Sequence, residues 1–222
     1  MEKNLENGAA TGPGGARGGD HARRLLHRLR DPERCWAAAV ELERRRLKSA
    51  APGLLELLYD PMPPHTARCV VWLAGALGVA KAAERLITIL RDAGEDVETR
   101  RGAAFSLGKL KNDAAVPALT ESLRESELRW NAAQALGRFP DRVVANVLMN
   151  SLRDPDAGVR EGAAWALAEL SSQRTLGALE AAMNDDDPAV RRGAAWAIRR
   201  IEKKRLYARY RHLFTSHKTL SR

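Results

Sequence analysis

Leucines recur along this chain in pairs four residues apart: Leu25/Leu29, Leu54/Leu58, Leu86/Leu90, Leu119/Leu123, Leu148/Leu152 and, with a conservative change, Leu179/Met183. A spacing of four places both members on one face of a helix. Two residues after each pair stands an acid: Asp31, Asp60, Asp92, Glu125, Asp154 and Asp185. Three to eight residues further on comes an arginine: Arg34, Arg68, Arg100, Arg129, Arg160 and Arg191. An apolar, alanine-rich stretch such as "AAFSLGKL", "AAQALGRF" or "AAWALAEL" then closes the four later units, which recur with the first two at a period of 29 to 34 residues. The pattern predicts helix, acidic turn, helix, six times over. In the turns Asp31-Pro32, Asp154-Pro155 and Asp187-Pro188, the Asp is placed to cap the second helix and the Pro to sit in its first turn. One such hairpin cannot bury its apolar face alone, so neighbouring hairpins must stack.

The segments "DPDAGVREGAAWALAEL" (Asp154–Leu170) and "DDPAVRRGAAWAIRRI" (Asp186–Ile201) carry the repeat in its fullest form. The pattern resembles the HEAT-like repeats of the phycobilisome-lyase type. The resemblance extends over roughly residues 21–202 and is strongest in repeats three to six. It implies an all-α fold, a right-handed α-solenoid of about six HEAT-like helical hairpins. The expected organisation is a Gly-rich disordered leader over 1–19, a solenoid over 20–202 and a basic amphipathic C-terminal helix or tail over 203–222.

Helical phase sorts the residues of the second helices. At 100° per residue, Val159, Ala163, Ala166, Leu167 and Leu170 form one arc, and Trp165 lies roughly 140° from its centre. The resemblance implies that second helices line a concave surface, which would point Trp165 into a groove. Equivalent positions are Phe105, Gln134 and Trp196. One turn earlier stand Arg101, Trp130, Glu161 and Arg192, and one turn later Lys109, Arg138, Glu169 and Arg200. Aromatics beside arginines are the residue types enriched where proteins recognise partners. The candidate partner-binding ridge is therefore Arg101, Phe105, Trp130, Gln134, Arg138, Trp165, Arg192, Trp196 and Arg200. The competing reading is packing, with each Trp lying over Gly and Ala of the neighbouring second helix, at Gly102, Gly162, Ala164 or Gly193. The six turn arginines read as clamps between repeats, because a pairing repeated in every unit belongs to the architecture.

Charge changes the picture at one end only. Residues 199–222 hold nine Lys or Arg against the single acid Glu202, so this stretch carries +8 of the net +9 and leaves the remainder near +1. Within it, Leu206, Tyr207, Tyr210, Leu213 and Phe214 form an apolar helical stripe bordered by Lys203, Lys204, Arg205, Arg209 and Arg211. Two roles fit: a cap over the open face of repeat six, or a basic arm for an acidic partner or nucleic acid.

The sequence offers no catalytic constellation. No His precedes a Glu, which removes the paired His-Glu ligands of the deoxyhypusine hydroxylases that share this type of repeat. Cys35 and Cys69 take equivalent places in adjacent repeats; with helices ~8–10 Å apart they read as separate, ordinary thiols rather than a disulfide or a zinc site. "GPGGARGG" follows no strand and lacks the Lys-Ser/Thr of a phosphate loop. No apolar run reaches the ~20 residues of a membrane span, and the two cysteines suit a reducing compartment, which points to the cytoplasm. The expected function is non-enzymatic: a scaffold or adaptor, without cofactor or metal, that grips a protein partner with an acidic or mixed acidic and apolar surface. Two alternatives stand beside it. One is nucleic-acid binding, through a DNA-glycosylase-like groove or the basic tail, against which the near-neutral body argues. The other is a chromophore-lyase-type subunit, implied by the repeat subtype.

Overall fold

A computed structural model describes the backbone of residues 13–215 and the side chains of residues 19–210. All regular structure among the described residues is helical, and the chain divides after Val79 into two compact units.

The first unit contains two hairpins, α1 (Pro13–Leu29) with α2 (Cys35–Arg44), and α3 (Ala51–Leu57) with α4 (Pro64–Ala76). Helix α1 begins at Pro13, so the latter part of the segment expected as a leader is helical; the earlier residues lie outside those described. Pro13 fits a first helical turn, where its missing N–H has no partner to lose.

The second unit contains four hairpins: α5 (Ala83–Arg91) with α6 (Val97–Leu110), α7 (Val116–Glu121) with α8 (Arg129–Leu136), α9 (Asp141–Ser151) with α10 (Ala157–Leu170), and α11 (Leu176–Ala182) with α12 (Pro188–Thr215). The second helices pack in series, α6 on α8, α8 on α10 and α10 on α12, and form one layer.

The leucine pairs lie on the first helices or at their C-terminal ends, and they form the core. Eleven of the twelve positions are buried; Met183, in the last hairpin, is exposed. In four of the six repeats the acid after the pair shapes the turn. Asp31, Asp92, Asp154 and Asp185 each accept a hydrogen bond from the backbone N–H two residues on, at 2.9–3.0 Å, the local bond that makes Asp a turn former. Capping falls to other residues. Asp96 accepts from the Thr99 N–H, Asp156 from the Gly158 and Val159 N–H groups, and Asp187 from Ala189 and Val190. The Asp-Pro expectation thus holds at Asp187-Pro188, whereas at Asp154-Pro155 the cap is Asp156, and α2 has no side-chain cap.

The turn arginines bind neighbouring repeats together. Arg100, its side chain 7% exposed, donates from Nε to the Leu90 carbonyl and from Nη2 to Glu125 of the next hairpin, at 2.9 and 2.8 Å. Arg160 donates from Nη1 to the Asp154 and Pro155 carbonyls, and from Nε and Nη2 to both carboxylate oxygens of Asp185. Arg129 donates to the Leu123 carbonyl and faces Glu161, and Arg191 donates to the Asp185 and Asp186 carbonyls. An outer ladder joins consecutive first helices by bonds across 30 residues: Arg30 to Asp60 in the first unit, Arg91 to Glu121 and Arg124 to Asp154 in the second. The clamp reading of the arginines is what the structure shows in repeats three to five, whereas Arg191 ties only the turn of its own repeat.

Candidate functional site

The exposed edge of the α6–α8–α10–α12 layer carries the aromatic positions singled out by phase, and packing fixes how each is presented. Trp130, the second residue of α8, is 42% exposed. Its ring meets that of Trp165 on α10 edge to face, with centroids 5.2 Å apart and planes at 77°, an arrangement that the ring quadrupole favours. Trp165 is half-buried: its ring lies over the next second helix, where a carbon added to Gly193 would come within 3.4–3.5 Å of its Nε1 and Cδ1. Exposure and packing therefore divide between two residues. Trp165 closes the gap between α10 and α12, and Trp130 leans on it while keeping its outer face in solvent.

The flanking positions differ equally. Phe105 is half-buried on α6, with the Arg138 guanidinium 4.6 Å and the Lys109 ammonium 5.7 Å from its ring centre. This stacking holds two cations beside the aromatic surface. Trp196 is half-buried on α12 beneath the Arg200 guanidinium at 5.3 Å. Arg200 also donates to Glu169 on α10 at 2.8 Å, and Arg101 donates to the Glu127 carbonyl and to Glu98. Their guanidinium groups are committed within the repeats. Gln134 is half-buried on α8 and Arg192 exposed on α12. With Glu161 facing Arg129 and Glu169 facing Arg200, the surface is a mixed one: aromatic at its centre, with cations partly answered by acids.

The basic tail is not a separate element. Helix α12 runs unbroken from Pro188 to Thr215, and its residues from Glu202 to Tyr210 are all exposed. Leu206, Tyr207 and Tyr210, the described part of the apolar stripe, are exposed rather than packed as a cap would pack them, and the side chains of Leu213 and Phe214 lie outside the described residues. The physical reason for the exposure is continuity, since nothing between Ile201 and Leu206 breaks the helix and turns it back. Lys203 and Arg209 lie 5.8 and 5.7 Å from the Tyr207 and Tyr210 ring centres, and Lys204 and Arg205 are exposed beside them. The side chain of Arg211 lies outside the described residues.

A second constellation, in the first unit, escaped the sequence reading. The sulfurs of Cys35 and Cys69 are 2.7 Å apart and buried. The error lay in comparing helix-axis separation with sulfur separation: each backbone cylinder has a radius of about 2.3 Å, so facing Cα atoms are far closer than the axes. A ring nitrogen of His65 joins them, and the three donor atoms lie within 4.8 Å of one another. The available signal was His65 and Cys69 at i, i+4 on α4, a spacing that aligns two side chains on one face. Burial pushes the Cys69 thiol well above its ordinary value, and its hydrogen bond with Cys35 acts in the same direction.

Comparison with known proteins bears on fold and family. The sequence profile of HEAT repeats matches residues 51–136, 83–168, 125–199 and 145–215. Over 80 residues the chain is 41% identical to the phycocyanobilin lyase subunit alpha of Nostoc sp. (strain PCC 7120); the match covers 31% of this chain and only 29% of that protein's length. The complex of CpcE and CpcF of phycocyanin lyase from Nostoc sp. PCC7120 contains a similar fold, with a TM-score of 0.54, 24% identity and coverage of 87% of this chain and 78% of that one. A designed armadillo repeat protein in complex with the peptide (KR)4 is similar at a TM-score of 0.52 and 17% identity, over 80% of this chain and 98% of that one. No helix among the described residues is long and apolar enough to cross a membrane.

Proposed function

Given that the chain belongs to the HEAT-repeat family, we propose that it is a cytoplasmic binding subunit, without catalytic chemistry of its own, that holds a partner protein against the α6–α8–α10–α12 surface. The observation carrying this reading is Trp130, held edge-on by Trp165 with its outer face in solvent. A large, rigid ring supported from behind is the kind of anchor that dominates interface energies. Arg138 and Lys109 on Phe105, the exposed Arg192 and the cationic continuation of α12 favour a partner with acidic groups around an apolar centre. The similarity to a CpcE and CpcF complex supports association with another chain.

A second reading keeps the partner and adds a pigment. The 41% identity with a phycocyanobilin lyase subunit favours a lyase-type subunit that acts on a bilin together with another chain. Nucleic acid is the weaker alternative, because a duplex needs a broad basic face and here Arg101, Arg129 and Arg200 are tied to acids.

Affinity capture from cells that make the protein, with nuclease treatment, tests the reading. The expected result is a stoichiometric protein partner retained by the wild type and lost with Trp130→Ala. Capture of nucleic acid alone, or of the same partner undiminished by that change, would refute it. A visible-absorbance titration with phycocyanobilin separates the two leading readings: a saturable spectral shift is expected only of a lyase-type subunit.

A further inference from the structure

Two thiols and an imidazole converge in the first unit. Cys35 begins α2; Cys69 lies within α4, and His65 one turn before it. Both sulfurs are buried, whereas His65 is exposed and sets its ring edge-on to Trp36 at 6.5 Å. Trp36 packs in turn on Trp72 at 5.7 Å. The group therefore has a buried sulfur floor, an imidazole at its mouth and an indole beside the entrance.

The geometry points to a metal site: we infer that Cys35, Cys69 and His65 bind a thiophilic d10 cation, with zinc(II) the ion that this donor set favours. Thiolates select zinc over the hard cations, and imidazole suits it equally. Zinc bound by two sulfurs at about 2.3 Å and a nitrogen at about 2.0 Å holds its donors roughly 3.4–3.8 Å apart. The sulfurs stand at 2.7 Å, closer than that spacing, and all three donors lie within 4.8 Å of one another. Small side-chain rotations that part the sulfurs and draw the imidazole inward would seat the ion. Two thiol protons leave to solvent as the thiolates bind, and no electron moves. Three protein ligands leave the fourth position to water or to a donor from outside, an open arrangement unlike the four-ligand closure of structural zinc sites. Bound there, the ion would cross-link α2 to α4 and thus fasten the two hairpins of the first unit.

Cobalt(II) and zinc(II) titrations of the full chain, anaerobic and with a non-thiol reductant, test the inference. We expect one cobalt per chain, a thiolate-to-cobalt charge-transfer band in the near ultraviolet, quenching of tryptophan emission through Trp36 and Trp72, and displacement of cobalt by zinc. Cys69→Ser should abolish the band. His65→Ala, an exposed change that spares the fold, should weaken binding at least tenfold while circular dichroism stays unchanged. Absence of the band in the wild type, or a band that survives Cys69→Ser or binding unaltered by His65→Ala, would overturn the assignment. So would finding that the two cysteines form only a disulfide, with both thiols lost and no metal taken up after reduction.

Discussion

Arg160 commits its whole guanidinium to architecture: two turn carbonyls on one side and both oxygens of Asp185 on the other. The side chains of this pair are only 16% and 11% exposed, so the interaction is little screened. The Arg160 hydrogen bonds hold the Asp185 carboxyl below its usual range. A carboxyl whose pKa is depressed in the folded state stabilises that state fully above its unfolded value, and the contribution is lost as pH falls through the folded one. Asp185→Asn should therefore cost about 1–3 kcal/mol at neutral pH, measured by urea unfolding. That difference should shrink as pH falls below the ordinary carboxylate range. A cost that persists undiminished in acid would contradict the clamp. The arginine ladder was legible in the sequence because each unit repeats it. The Cys35–Cys69 contact was not, because a single pair has no periodicity to announce it and depends on how closely two particular helices approach.

Helix phase marks out one buried stripe, yet α10 is buried on more than one side. Besides Val159, Ala163, Ala166 and Leu167, the structure buries Gly162, Ala164 and Ala168 while Leu170 stays half-exposed. A helix with neighbours on both flanks of its layer needs small residues there as well as an apolar stripe. The alanines and glycines supply them, which composition hints at and phase alone does not resolve. Gly108 approaches a neighbouring backbone most closely of the glycines described: a carbon added to it would lie 2.7 Å from the Ala135 Cα on α8, a backbone atom that cannot step aside. Gly108→Ala should therefore destabilise by about 1–3 kcal/mol. Gly193→Ala, whose new carbon would meet the Trp165 ring at 3.4 Å, should be neutral or stabilising by up to ~1 kcal/mol from helix propensity. Thermal melts of the two variants check the ranking, and equal losses would refute this account of the spacing. The end of α12 is legible only in part. Its amphipathic stripe is visible in the sequence, but a stripe does not say whether it is covered. Truncation after Ile201 should move the melting temperature by no more than about 1–2 °C, the shift expected of an exposed segment worth at most ~0.5 kcal/mol. A large drop would restore the capping role.

At the scale of the whole molecule, fold and function separate. Leucine pairs, turn acids and arginine clamps recur in register, so they report stacking, and from them the all-α repeat fold follows. What distinguishes one HEAT-repeat protein from another lies in the positions that do not recur: Phe105, Gln134, Trp165 and Trp196 occupy one repeat position with differing side chains, and Trp130 stands a turn earlier. Sequence alone could not divide these between packing and recognition, since a half-buried tryptophan serves both. The structure makes Trp165 the support and Trp130 the exposed face. The most direct test of the account is the affinity of the captured partner for the wild type and for Trp130→Ala, measured by calorimetry alongside thermal melts of both proteins. The account predicts an affinity loss of about 2 kcal/mol or more, with stability lowered by no more than about 1 kcal/mol because the ring is already partly in solvent. Unchanged affinity with a large loss of stability would contradict it and make Trp130, like Trp165, a packing residue.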